Sequence, residues 1–207
     1  MDNDKRKLTE KELKRKNDFE KLSSEMQQKG YKIKNVVINT QQARPLCILI
    51  MLPFMALAFW IYYHVNGFDL DCLSWGFLVA LIVLISCLII LHELIHGITW
   101  AIFAKNHFHA IGFGIIWNSF SPYCTCSNPL KKWQYLLGVA MPTLVLGGGG
   151  AVAAVMTNQL LLFLAAEYMI LSGGGDFQLI LRSILTDKRE SVYCDHPYEC
   201  GFVVFEK

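Results

Sequence analysis

Between Leu73 and Ala104 the chain runs 32 residues with a single formal charge, Glu93. As one helix this stretch would measure about 48 Å, well beyond the ~30 Å hydrocarbon core of a bilayer. It must therefore tilt, break near Gly97, or project past the membrane. Three further apolar runs, 46–63, 133–157 and 160–185, are each long enough to cross, since about 20 residues suffice. Apolar residues make up 54% of the chain and charged residues 17%, against roughly 45–50% and 25% in a soluble domain. Together these features predict a mainly α, integral membrane fold of about four transmembrane helices.

Charge then orients the helices. Of the 19 Lys and Arg residues, twelve precede Pro45; the others fall in the 105–132 loop or from Arg182 onward. The 64–72 loop holds Asp69 and Asp71 and no basic residue, and the turn at 157–159 holds none. Four spans with both termini in the cytosol put every basic residue on one side, as the positive-inside rule expects. Beside membrane spans, the basic segment 1–45 points to anionic lipid headgroups rather than nucleic acid. The first apolar run starts only at Leu46, too late for a signal peptide. The seven cysteines form no regular disulfide framework, which fits a reducing compartment for most of them.

The portion outside the spans carries some pattern. A basic helix over residues 1–30 is predicted, with Thr9 and Glu12 as a capping box and Phe19, Leu22 and Met26 on one stripe. That stripe would lie on the membrane surface or pack against the rest of the cytosolic portion. Ile33, Val36 and Ile38 alternate as in a short strand. The loop 110–126 is strand-like in two pieces, Ala110 to Trp117 and Cys124 to Cys126. A tail, 186–207, ends in a strand-like Phe202 to Phe205. Within the spans, Pro53 is a candidate kink, and Pro142 with Gly147 to Gly150 either breaks the third run or lets helices approach closely.

The 73–104 run also carries His92-Glu93-Leu94-Ile95-His96, an H-E-x-x-H pattern. On a helix the two histidines project from one face, one turn apart, so that two ring nitrogens can reach one Zn²⁺. Glu93 is turned about 100° away, beside the metal rather than on it, where a carboxylate can serve as general base. A buried histidine is ordinarily a satisfied core residue. Three ionisable groups within five residues of a membrane-length segment, however, need strong local compensation, and a divalent metal supplies it.

A catalytic zinc takes three protein ligands and keeps one position open. The candidate for the third is Asp176, after Gly173, Gly174 and Gly175. The second and fourth spans run in the same direction. His92 and His96 lie about 19 and 23 residues past the outer end of one, Asp176 about 17 past that of the other, which are similar depths. The glycines would let the backbone come close to the motif helix or unwind locally. Glu167 lies on the opposite helix face and nearer the outer side. His64, His107, His109 and His196 fall in loops. Cys124-x-Cys126 lacks a matching pair, and Asp195-His196-Pro197 reads as a turn.

With these residues in place, the chain resembles intramembrane metalloproteases of the site-2-protease type. It is more closely similar to the zincin-peptidase family of small bacterial membrane proteins. The likeness rests on His92, Glu93, His96 and Asp176 and covers about Leu73 to Phe205. Val139-Ala140-Met141-Pro142 is a faint match to the proline element of site-2 proteases, and Gly-Gly-Gly-Asp stands where their N-P-x-x-D-G element would be. The resemblance implies a bacterial cytoplasmic membrane protein that hydrolyses peptide bonds in or near the bilayer. It also implies one Zn²⁺ per chain and a membrane-protein or peptide substrate. The competing readings are a non-catalytic metal-binding sensor, adaptor or protease-like scaffold, and a small transporter. Four spans without repeat symmetry disfavour the last.

Overall fold

Helix α3 (Trp75–Phe103) is the axis around which the other elements are placed. The computed structural model describes residues 10–38, 40–68, 71–116, 121–185 and 191–207. Thr9, Asn39, Asp69, Trp117, Lys188 and Arg189 lie outside these residues. Ser74 caps α3, its Oγ accepting from the Phe77 N–H at 3.2 Å. The helix does not break at Gly97. The glycine is needed for another reason: a Cβ there would run into the Phe113 ring and come within 3.1 Å of Ile111. A strand therefore lies directly on the helix at that turn.

Four helices are long and apolar enough to cross a membrane: Arg44–Asn66, Trp75–Phe103, Lys132–Thr157 and Leu160–Leu185. The first belongs to α2 (Thr40–Asn66), which runs through both Pro45 and Pro53. The third is α4 (Lys132–Pro142), a π-helical segment (Thr143–Gly149) and α5 (Gly150–Thr157) in unbroken succession. Pro142 and the glycines do not end the helix. They widen its turn, as expected where a proline removes a donor from the ladder. Close approach follows: a Cβ on Gly147 would sit 2.8 Å from Ile170 Cγ1, and one on Gly150 would sit 3.2 Å from Ala166 Cβ. Asn158 turns the chain with φ +52. The fourth run then divides at Gly173 into α6 (Leu160–Ser172) and α7 (Gly174–Leu185).

The remainder forms two small sheets. Strands β2 (Ile111–Ile116) and β3 (Ser121–Cys126) make an antiparallel hairpin. The other sheet is antiparallel in the order β1-β6-β5-β4, from β1 (Lys32–Val37), β4 (Leu130–Lys131), β5 (Ser191–Asp195) and β6 (Gly201–Glu206). Phe202 to Phe205 is apolar without alternation because both faces of β6 are buried. Phe202 and Val204 pack with Trp100, Tyr135 and Tyr193. Val203 and Phe205 pack under Met26, Phe19 and Leu22 of α1 (Glu10–Gln28). The stripe on α1 therefore packs on protein.

Candidate metal centre

His92 and His96 lie one turn apart on α3, both buried, with their Nε2 atoms 3.2 Å apart. Asp176, in the first turn of α7, points at both. Its Oδ2 is 3.1 Å from His92 Nε2 and its Oδ1 is 3.5 Å from His96 Nε2. The depth match between the two spans is thus realised in space. The glycines before Asp176 allow it: a Cβ on Gly173 would collide with Thr143, and one on Gly174 would lie 2.7 Å from Cys47 Cβ. A larger residue at either position would push α7 away from the spans that hold it.

The donor set can be tested against a metal. His96 Nδ1 lies 2.8 Å from the Gly138 carbonyl oxygen. A carbonyl only accepts, so Nδ1 carries the proton and the neutral ring's Nε2 is a bare lone pair. Two imidazole nitrogens and a carboxylate thus converge on one point with few protons to share, an arrangement that a cation relieves. The separations suit it. Four ligands at about 2.0–2.1 Å around a tetrahedral zinc lie about 3.3 Å from one another. His92 Nε2 lies 3.2 Å from His96 Nε2 and 3.1 Å from Asp176 Oδ2, both near that figure, and the second carboxylate oxygen, Oδ1, lies 3.5 Å from His96 Nε2. Among the described residues, His92, His96 and Asp176 form the group able to hold a metal. His64, His107, His109, His196 and Glu167 are not part of it.

Sequence reasoning missed the groups around this triad. Trp100 stacks on His96 at 5.2 Å between centroids and 16° between planes, and its Nε1 donates to the Tyr135 carbonyl at 3.1 Å. Gly138 leaves room for that indole, since a Cβ there would strike it. The glycine therefore both accepts from one ligand and seats the ring that flattens it, which fixes the tautomer that presents Nε2. A lone glycine within an apolar helix was the only available signal.

Glu93, half-buried, takes a hydrogen bond from the backbone of Cys124 in β3. Two residues on, the Cys126 N–H donates to Asp195 Oδ2 at 2.7 Å. Alternate amides of this strand thus point away from β2, and both end on carboxylates. The Asp195 carboxyl also accepts from Tyr135 Oη at 2.7 Å, and burial pushes it up to about 6. A turn does follow it at 196–200, but Asp195 itself joins β5, β3 and α4. Burial pushes the Cys126 thiol up to about 12 and Cys124 also well above its ordinary value. Both stay protonated, which does not suit a thiolate metal site.

A cleft of about 470 Å³ opens between α2, the α4–α5 helix and α7. Met51, Phe54, Leu144, Val152 and Phe177 line it, and Asp176 stands in its wall. The lining is almost wholly apolar.

Residues 85–192, just over half of the chain, match a known family profile, and all four candidate residues fall inside that span. No curated protein and no solved structure matches. With a His-His-Asp cluster of metal-binding geometry inside the matched segment, the chain belongs to the family described as "Putative zincin peptidase".

Proposed function

We propose that this protein is a zinc-dependent metallopeptidase embedded in the bacterial cytoplasmic membrane, cutting peptide bonds in or near the bilayer. One zinc per chain is held by His92, His96 and Asp176. The observation that carries the reading is the convergence of two buried Nε2 atoms, 3.2 Å apart, on one carboxylate, whose Oδ2 lies 3.1 Å from His92 and whose Oδ1 lies 3.5 Å from His96. When bound, zinc supplies Lewis acidity, polarising the scissile carbonyl and acidifying water.

The chain's own residues do the rest. Gly138 and Trp100 hold His96 in one tautomer and one plane. Glu93 takes the proton of the attacking water and returns it to the leaving amine, its carboxylate aimed by the Cys124 amide. A helical substrate must unwind before it is cut. Strand β2 offers a place for the unwound segment: the outward alternation of β3 makes Phe113 and Ile115 the β2 residues whose backbone groups face away from the hairpin. Strand addition there would hold the substrate by main-chain hydrogen bonds. The distribution of Lys and Arg supports cytosolic termini.

A non-catalytic metal-binding protein would have no use for Glu93 beside an open coordination position. The test is metal content of the detergent-purified protein beside His92→Ala, Asp176→Ala and Glu93→Gln. About one zinc per chain is expected in wild type and in Glu93→Gln, and none in the other two. Cleavage of a membrane-peptide substrate should disappear in Glu93→Gln although its zinc is intact. A well-folded wild type that binds no metal would refute the peptidase reading.

A further inference from the structure

The β2–β3 hairpin lies between two helices that are far apart in sequence. Its sequence alternates for that purpose: Ile111, Phe113 and Ile115 point to one face, Gly112 and Gly114 to the other. The apolar face meets α3, where Phe113 and Ile111 lie over Gly97, the residue after His96. The glycine face is open, and Arg15 of α1 reaches into it. Arg15 Nη1 donates to Thr125 Oγ1 at 3.1 Å and Nη2 donates to Tyr123 Oη at 2.8 Å. The guanidinium carbon lies 5.0 Å from the centre of the Tyr123 ring. A Cβ on Gly112 would crowd Thr125 Oγ1 at 3.0 Å, the hydroxyl that Arg15 holds, and would meet Nη1 in ordinary contact at 3.5 Å. Thr125 passes the contact on, its hydroxyl lying 3.3 Å from the Gly112 carbonyl.

Tyr123 and Thr125 flank Cys124, whose amide holds Glu93. A planar guanidinium with two arms grips the residues on both sides of that amide, as a lysine's single point of charge cannot. We propose that Arg15 is a positioning residue for Glu93. It fixes the strand that presents the Cys124 N–H to the base, so that α1 is a working part of the active site although it touches neither metal nor substrate. The proposal rests on the peptidase reading for what Glu93 does, but its geometry stands without it. Asp195 holds the same strand one amide further on, at Cys126. Arg15 is thus the pin at the end of the hairpin beyond that anchor, holding the side chains on both sides of Cys124.

The test uses the full chain in detergent, zinc-loaded. It compares wild type with Arg15→Ala, with Arg15→Lys, and with Tyr123→Phe combined with Thr125→Val, which removes the fork from the other side. Amide hydrogen exchange over 121–126 is read first. It should accelerate about tenfold in Arg15→Ala and in the strand double variant while α3 stays protected, and Arg15→Lys should recover part of the loss. Adding Arg15→Ala to Glu93→Ala should change exchange at Cys124 little, because the two groups protect the same amide. Zinc content should remain at the wild-type level throughout. On a quenched-fluorescence peptide, kcat should fall about ten- to a hundredfold with KM nearly unchanged. If the wild type cleaves nothing, the peptidase reading fails while the exchange result still decides the role of Arg15. Unchanged exchange over 121–126 in both the Arg15→Ala and the strand variants, or an effect on KM alone, would overturn the proposal.

Discussion

His96 is held on three sides: by a carbonyl at Nδ1, an indole against its face, and the triad at Nε2. Gly138 serves two of these, so Gly138→Ala should be costly out of proportion to one methyl group. The new Cβ displaces Trp100, and zinc affinity should fall about 10- to 100-fold, as when other outer partners of metal ligands are lost. A zinc titration with a chromogenic competitor measures it. Asp195 makes a pH-dependent prediction. Burial raises its folded-state value to about 6, above the ordinary carboxylate range. A raised acid favours the folded state while protonated, so that contribution is present below about pH 4 and is lost as pH climbs to about 6. Asp195→Asn stays neutral. The stability of wild type relative to this variant should therefore decline by roughly 2–3 kcal/mol between those limits. Thermal unfolding in detergent across pH 4 to 7 would show it, and a constant difference would contradict it. The grouping of His92, His96 and Asp176 was legible in the sequence because side-chain type and spacing declare it. Cys124 acts through its backbone and Gly138 through its carbonyl and its missing side chain, and such roles leave no mark on residue type.

Among the elements, the glycine-rich third span and the divided fourth span fit against each other closely. Backbone atoms of Ile170 lie 3.1–3.3 Å from where a Gly147 Cβ would be, while nothing lies within 4 Å of that point on Gly148. Gly147→Val should therefore destabilise by about 1–3 kcal/mol through overpacking and carry α7, with Asp176, off the histidines. Gly148→Val should be close to neutral. The pair of melting curves, with zinc content beside them, separates packing from helix propensity, since both variants change propensity alike. The spans themselves were readable from apolar length, and β1, β2, β3 and β6 from alternation or β-rich composition. Strands β4 and β5 were not, because Leu130–Lys131 is too short to show a period and Ser191–Asp195 has both buried and half-buried faces. Whether Gly97 or Pro142 would break its helix depended on what lay alongside, which no local window contains.

For the whole molecule, the arrangement of charges predicts which surface faces which compartment. Cys72 lies in the loop before α3, and Cys200 lies in the turn between β5 and β6; both are exposed. In sealed, right-side-out vesicles a membrane-impermeant maleimide should label Cys72 at once and Cys200 only after permeabilisation. The opposite pattern would reverse the orientation. Composition and hydropathy made the mainly helical architecture plain from the outset, whereas the docking of α1 depended on a sheet whose strands are scattered along the chain. That scattering has a temporal meaning. Strand β1 precedes all four apolar helices and β6 follows them, yet the two are hydrogen-bonded neighbours, Lys32 opposite Glu206 through to Val37 opposite Gly201. The sheet is a clasp that cannot shut until the helices between its halves have been synthesised. Helix α1 docks on β6, and Arg15 reaches the hairpin from α1, so the grip on Tyr123 and Thr125 is completed only at that closure. A half-made copy on the ribosome would hold its histidines but neither Asp176 nor the closed sheet, so the metal-binding group is assembled late in the chain's own birth.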